Sequence, residues 1–328
     1  MGLNKRLIDQ AGGGSFTNTD NFDQTSWTGN GGTLEVSDFN FQPDFLWFRR
    51  KDGGTNPYIF DSVRGAGAWL QPNLDEAQGY TGSSLASFDN DGFTLGSWAG
   101  LNISSSQWAT FGLKGGGSAG QNTDGTLTAD VSANPAAGFS IVEFTNTSNT
   151  QTIGHGLDSK PELVIQKSIG SASDWYVRTD IIDGSDDFLR LNTTDAKANN
   201  TNFGHNDTTF NAWQGAANWI CYCFHSVDGY QKVGSFVGDG STDAVLNLGF
   251  EPRWIMIKNT NTTTGWFIMD VERSDFALRL KADVSNGDSS IGTLTTSSTG
   301  ITISSTASDG RINGRPGYSD TMMYLAIA

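Results

Sequence analysis

The sequence predicts an all-β chain built from tandem antiparallel β-sandwiches with a short N-terminal arm. Three observations lead there: period-two alternation dominates, helical periodicity is nearly absent, and one order of elements recurs three times. Short runs such as Phe45-Leu-Trp-Phe48, Glu162-Leu-Val-Ile-Gln-Lys167 and Arg253-Trp-Ile-Met-Ile-Lys258 are rich in β-branched and aromatic residues, as strands require. Asn-Gly, Asp-Gly, Gly-Ser and Thr-rich clusters bound them, which is turn chemistry. The only helical candidates are short, Asn4 to Gln10 and Leu74 to Gln78.

Each repeat opens with a Gly/Asn turn, at Trp27–Gly31, Phe144–Ser148 and Phe236–Gly240. About fourteen residues later a proline starts a strand, at Pro43, Pro161 and Pro252. An aromatic follows at Tyr58, Trp175 and Trp266, then an aspartate at Asp61, Asp180 and Asp270. Each repeat closes on an alternating strand: Trp108–Lys114, Trp219–His225 and Met322–Ala328. That strand reads apolar on both faces, which places it centrally in its sheet. Units of roughly 90 residues suit a sandwich of short strands, whereas solenoid periods run only about 20 to 50 residues. The expected division is an arm at 1–20, units at 21–114, 138–227 and 228–328, and a Gly/Ser/Asn-rich linker at 115–137. On this reading the first unit is loosely tethered to a tightly coupled pair.

Composition narrows the function classes. Twenty Lys+Arg against 35 Asp+Glu leave a net charge of −15, which argues against nucleic acid, whose phosphates need a basic patch. Ten Trp and twenty Phe supply the apolar area that a disordered chain lacks. No apolar run approaches the length of a membrane span, so no membrane insertion is expected. The two cysteines, Cys221 and Cys223, fall on one face of a strand as buried thiols rather than a disulfide. His155, His205 and His225 are scattered and without partners at metal or catalytic spacing. A depolymerase on such a sandwich would need paired carboxylates, yet the glutamates are isolated. The chain therefore reads as non-enzymatic.

Four sets of residues invite a functional reading. Asp89-Asn-Asp91-Gly92 resembles the start of a calcium loop, although Asp-Gly there also suits a hairpin; calcium at Asp89 and Asp91 is the one cofactor considered. Asp61 with Arg64 and Asp270 with Arg273 recur at one offset, either as polar contacts to a sugar or as Arg–carboxylate forks locking a loop. Trp69, Trp98 and Trp213 lie in Gly/Ala/Gln/Asn-rich loops and are the expected platforms for a glycan or partner chain. Trp47, Trp108, Trp219 and Trp254 lie in strands and are expected in the core. Leu3, Lys5, Arg6, Leu7 and Ile8 form a basic-amphipathic start suited to docking on a partner.

Several runs carry a family resemblance. They are Asn122 to Ile141, Phe41-Gln-Pro-Asp-Phe-Leu-Trp47, Phe60-Asp-Ser-Val-Arg-Gly65, Ser87 to Gly96 and Gly249 to Lys258. Together they resemble a tandem repeat of virion proteins from marine and cyanobacterial phages, with a laminin-G or concanavalin-like, jelly-roll sandwich. The resemblance implies a tail fibre, spike, head fibre or capsid decoration protein located on the virion. Its partners would be other virion proteins and host-surface polysaccharide. Phage fibres are often trimeric, so a homotrimer is expected. The second unit departs from the pattern, with Thr179-Asp180-Ile-Ile182 replacing the Asp-x-Val-Arg run.

Overall fold

The computed structural model describes residues 20–328 apart from 149, 200–201, 214, 293 and 306–310. The docking arm, with Leu3, Lys5, Arg6, Leu7, Ile8 and the helical candidate at 4–10, lies outside the described residues. The fold is all-β. In the first unit Phe22–Thr28, Gln107–Leu113, Phe45–Arg50 and Tyr58–Asp61 form one antiparallel sheet in that order. Leu34–Val36, Gly92–Leu95 and Leu85–Asp89 form a small sheet of their own. The second and third units repeat the plan, with Ala217–Phe224 between Phe139–Asn146 and Leu163–Ser168, and Asp320–Ile327 between Gln231–Gly238 and Trp254–Asn259. The closing strand of each repeat is thus central, as its two apolar faces predict.

Register fixes the equivalences between units. Phe45 faces Asp61, Leu163 faces Thr179 and Trp254 faces Asp270. Thr179, not Asp180, therefore occupies the aspartate position of the second unit, a correction by one residue. A slip of one residue along a strand moves a side chain to the opposite face, so Asp180 cannot play the part of Asp61.

The alternation of each main sheet serves two cores. Leu46, Phe48, Phe60 and Trp108 face the first unit's small sheet, within a cluster holding Val36, Phe93 and Leu95. Val164, Trp219, Cys221 and Cys223 do the same in the second unit. The alternate residues Phe45, Trp47 and Phe111 join Leu163, Ile165 and Tyr222, and Trp254, Met256, Leu325 and Ile327, in one shared cluster. Three sheets thus turn one apolar face each toward a common axis. The gap left along it is about 30 Å³ and is lined from all three units, room for a single water at most.

Three seams close the ring with one set of bonds. Six residues beyond the strand-opening proline each unit carries a fully buried cation: Arg49, Lys167 or Lys258. Lys167 donates to the Asp75 carbonyl of the first unit, and Lys258 to the Thr194 carbonyl of the second. Arg49 donates to the Val284 and Asn286 carbonyls of the third, at 2.7 and 2.8 Å. Two residues further on, the Ile169, Thr260 and Lys51 carbonyls accept the backbone N–H of Gln78, Lys197 and Asp288 respectively. Trp175 and Trp266 add indole N–H bonds to the Gln71 and Arg190 carbonyls across their seams, at 2.9 and 2.7 Å. Pro57 holds that place in the first unit, so its seam relies on the two-pronged guanidinium instead, a geometry lysine cannot supply.

Two expectations change here. Residues 115–137 are not a spacer: Gly120–Asn122 and Ala129–Asn134 are strands paired onto Phe139–Asn146, extending the second unit's sheet. The Ala-Asp-Val-Ser alternation within that Gly/Ser-rich composition is what pairs. Nor is the first unit loosely held, since its sheet shares the central core and two seams. Leu74–Gln78 is likewise not helical; its backbone groups are spent on the seam, where Asp75 accepts from Ser173 and Gln78 donates to Ile169.

Burial pushes the Lys167 and Lys258 ammonium groups down to about 8, against roughly 10.4 in an unfolded chain. Between pH 8 and 9 the folded chain therefore releases protons that the unfolded chain keeps, and stability rises with pH. Burial also raises Cys221 and Cys223 and holds them protonated while unfolded thiols ionise near ~8.5, which offsets part of the rise in the same window. Urea midpoints should climb from pH 8 to 9 in the native chain, and the climb should vanish in the Lys167→Met/Lys258→Met double variant. An equal climb in the variant would show that these amines are not its source.

Candidate functional site

The residues singled out by sequence separate into structural devices and one surface feature that sequence reasoning missed. Asp61 and Arg64 are both buried, with Nε to Oδ2 at 2.6 Å and the Arg64 backbone N–H on Oδ1 at 2.9 Å. The guanidinium also donates to the Ile59 carbonyl, to Gln78 Oε1 and to the Tyr222 hydroxyl, which itself donates to Asp61 at 2.8 Å. Burial works against the Arg64 charge, but Asp61 and Tyr222 outweigh it and raise its pKa. Asp270 and Arg273 repeat the fork at 2.5 Å, with Asp288 in the place of Gln78. Gln78 and Asp288 are the residues whose backbone N–H groups cross the seams. The forks therefore hold the seam loops and are closed to a sugar. In the second unit Ile182 and Thr179 stand at the fork positions, and Lys197 is tied instead to Asp183 and Asp187.

The loop tryptophans are also part of the repeat. Tyr58, Trp69 and Trp98 form a triad, with centroids 5.5, 5.0 and 5.4 Å apart and the two indoles stacked at 21°. Tyr176, Phe188 and Trp213 repeat it at 5.9, 4.9 and 5.3 Å. Trp213 is only 5% exposed, and Arg178 lies 5.0 Å from its ring. Trp213 is thus a core residue rather than a platform. Trp69 and Trp98 are half-buried, but each spends one face on the other. A Cβ at Gly79 would fall 2.1 Å from the Trp69 ring, so backbone is laid directly against that indole. Polar loop composition hid this packing, because the partner aromatics lie up to 40 residues away. Trp47, Trp108, Trp219 and Trp254 are buried as expected.

Asp89 and Asp91 belong to the hairpin joining Leu85–Asp89 to Gly92–Leu95. The Asp89 carboxylate accepts from the Ser87 and Thr94 hydroxyls at 2.6 and 2.7 Å. Among the described residues no three His, Cys, Asp or Glu side chains cluster as a metal would need. The Asp89–Asp91 pair thus sits in a hairpin turn, with the Asp89 carboxylate already held by two hydroxyls. His155 is buried, with Nε2 3.1 Å from the Asn206 carbonyl and Nδ1 accepting from the Leu157 N–H. His205 stacks on Phe203 beside Asp180.

The feature legible only in three dimensions is a cleft of about 600 Å³ at the seam of the third and first units. It is lined by the loop Lys51-Asp-Gly-Gly54, by Arg279 and Lys281, and by the loop from Val284 to Ser289. Both lining carboxylates are engaged, Asp52 by Arg50 at 2.7 Å and Asp288 by Arg273 at 2.5 Å. Buried Arg49 lies beneath, bonded to the Val284 and Asn286 carbonyls. The Arg279 guanidinium and the Lys281 ammonium stand 5.0 and 5.4 Å from the Phe267 ring. Lys51 and Lys281 lie 230 positions apart in the sequence, so no local motif marks the site.

Asp61→Ala should leave Arg64 buried without its counter-charge and cost about 3–5 kcal/mol in urea denaturation. Trp213→Ala should cost a similar ~3–5 kcal/mol as a large-to-small core change. A loss below about 1 kcal/mol at either position would return that residue to the list of surface groups.

No curated protein matches the chain. One family model does, and its match runs through all three sandwiches: over residues 17–328 the sequence fits the domain of unknown function DUF7483, and the chain belongs to that family.

Proposed function

We propose that this chain is a non-enzymatic structural component of a phage particle. It docks through its N-terminal region and presents a rigid β body to a host-surface glycan or to other subunits. The observation that carries this reading is the closed ring of three sandwiches around one shared apolar axis. Sheets buried on both faces, with cations locking each seam, make a stiff body suited to particle assembly rather than to a cycle of opening and closing. The histidines are bonded to main chain or to neighbouring side chains, and the carboxylates singled out are held in forks and turns, which favours binding over hydrolysis. The net charge of −15 suits a soluble surface protein. The threefold geometry expected of a homotrimer is supplied within one chain by its three repeats, so a monomer can occupy a threefold position on a particle.

Two measurements test the proposal. Antibody labelling of whole particles in the electron microscope should place the chain at a vertex, a fibre or the capsid lattice; its absence from purified particles would sink the virion assignment. A glycan array probed with the full chain should show binding to a subset of surface polysaccharides; release of reducing sugar from any of them would overturn the non-enzymatic part. The full chain is required because the units share their core.

A further inference from the structure

We propose that the cleft between the third and first units is a binding site for an anionic sugar, a uronate- or sulfate-bearing residue of a polysaccharide. This rests on the glycan-binding reading above and assigns it to one place on the molecule.

The argument begins with the pseudo-threefold repeat, which supplies two internal controls. Ile59 pairs with Leu70, Val177 with Leu189 and Ile268 with Leu280. The flanking positions are therefore Trp69 and Gln71, Phe188 and Arg190, and Arg279 and Lys281. The matching positions two residues beyond the buried cation are Ile169, Thr260 and Lys51. Grouped by seam, the first-to-second carries Trp69, Gln71 and Ile169. The second-to-third carries Phe188, Arg190 and Thr260. The third-to-first carries Arg279, Lys281 and Lys51. At these three margin positions one fold thus carries no cation, one, and three. The one cation among the second seam's three margin positions, Arg190, is committed to Asp174 and Asp195 at 2.8 and 3.0 Å. Ring closure does not demand the three cations, since the other seams close without them.

The surroundings suit an anion of modest size. A volume of about 600 Å³ falls within the usual range for small-ligand clefts and admits one or two sugar rings. The two lining carboxylates are already held by Arg50 and Arg273, so they do not cancel Lys51 and Lys281. Arg49 adds a fixed positive charge below the floor. Arg279 donates to Ser289 at 3.2 Å and Lys51 to Ser26 at 3.2 Å, contacts that hold the cations in place. Gly53, Gly54 and Gly287 open the walls to backbone; a Cβ at Gly287 would come within 2.4 Å of the Lys51 carbonyl. The site is a local exception on a chain of net charge −15. A long polyanion would be repelled by the rest of the surface, which favours a short anionic sugar unit over nucleic acid.

The test is titration calorimetry of the full chain with three hexasaccharides of equal length, carrying uronate, sulfate or no charge, and with a single-stranded DNA hexamer. We expect at least one charged saccharide to bind, with affinity falling as salt is raised, and the neutral one to bind at least about tenfold more weakly. Lys51→Glu/Lys281→Glu should weaken that binding by about tenfold or more. Lys114→Glu, a charge reversal at the far end of the Gln107–Leu113 strand, should leave it unchanged. Unaltered thermal midpoints in the variants separate lost binding from lost fold. Charged-saccharide binding that survives the double variant overturns the cleft and leaves the glycan reading standing. Binding of the neutral hexasaccharide alone does the same. Preference for DNA overturns the saccharide assignment. Failure of every saccharide overturns the cleft, and the array then decides whether the glycan reading falls with it.

Discussion

Every main sheet in this protein is apolar on both faces, and that constraint organises the rest. A small sheet from the same unit covers one face. The other can be covered only by the corresponding faces of the other two units, around an axis with room for almost nothing else. Burying a Trp, Phe or Leu side chain is worth roughly 1.5–3 kcal/mol, and the shared core holds several from each unit. No unit is complete without its neighbours, so the three repeats fold into one body rather than beads on a string.

Covering polar backbone at the seams is the cost of that arrangement, and one recurrent device meets it. A cation six residues past the strand-opening proline reaches the carbonyls of the adjacent loop, and a carbonyl two residues later accepts an N–H in return. Buried carbonyls left without donors are expensive, which explains why the cation position is filled in all three units despite full burial. Burial in turn lowers the lysine pKa values, so the same groups that close the ring make its stability respond to mildly alkaline pH. The Asp61–Arg64 and Asp270–Arg273 forks act one step back, holding the loops that the cations grip.

The divergence between repeats is as informative as their likeness. The aromatic triad of the first two units gives way in the third to Phe267 with Arg279 and Lys281 around its ring. The same exchange turns an apolar seam margin into a basic cleft. Where three copies of a fold share a set of positions and only one fills them all with cations, the fold is not the reason for it. That comparison singles out the third-to-first seam over the tryptophans, which repeat and pack.

The sequence by itself determined the strand class, the three repeats, the central closing strands and the core tryptophans Trp47, Trp108, Trp219 and Trp254. These follow from alternation and turn chemistry, which act over a few residues. It misread residues 115–137 as a spacer because Gly and Ser content masked a short alternating strand. It also took Trp69, Trp98 and Trp213 for exposed platforms, because polar loop neighbours say nothing about an aromatic brought in from a distant strand. Only the tertiary structure decided that the units close into a ring, that Thr179 rather than Asp180 matches Asp61, and that Lys51 meets Arg279 and Lys281. Those facts depend on register and on contacts across more than two hundred residues, where local periodicity carries no information.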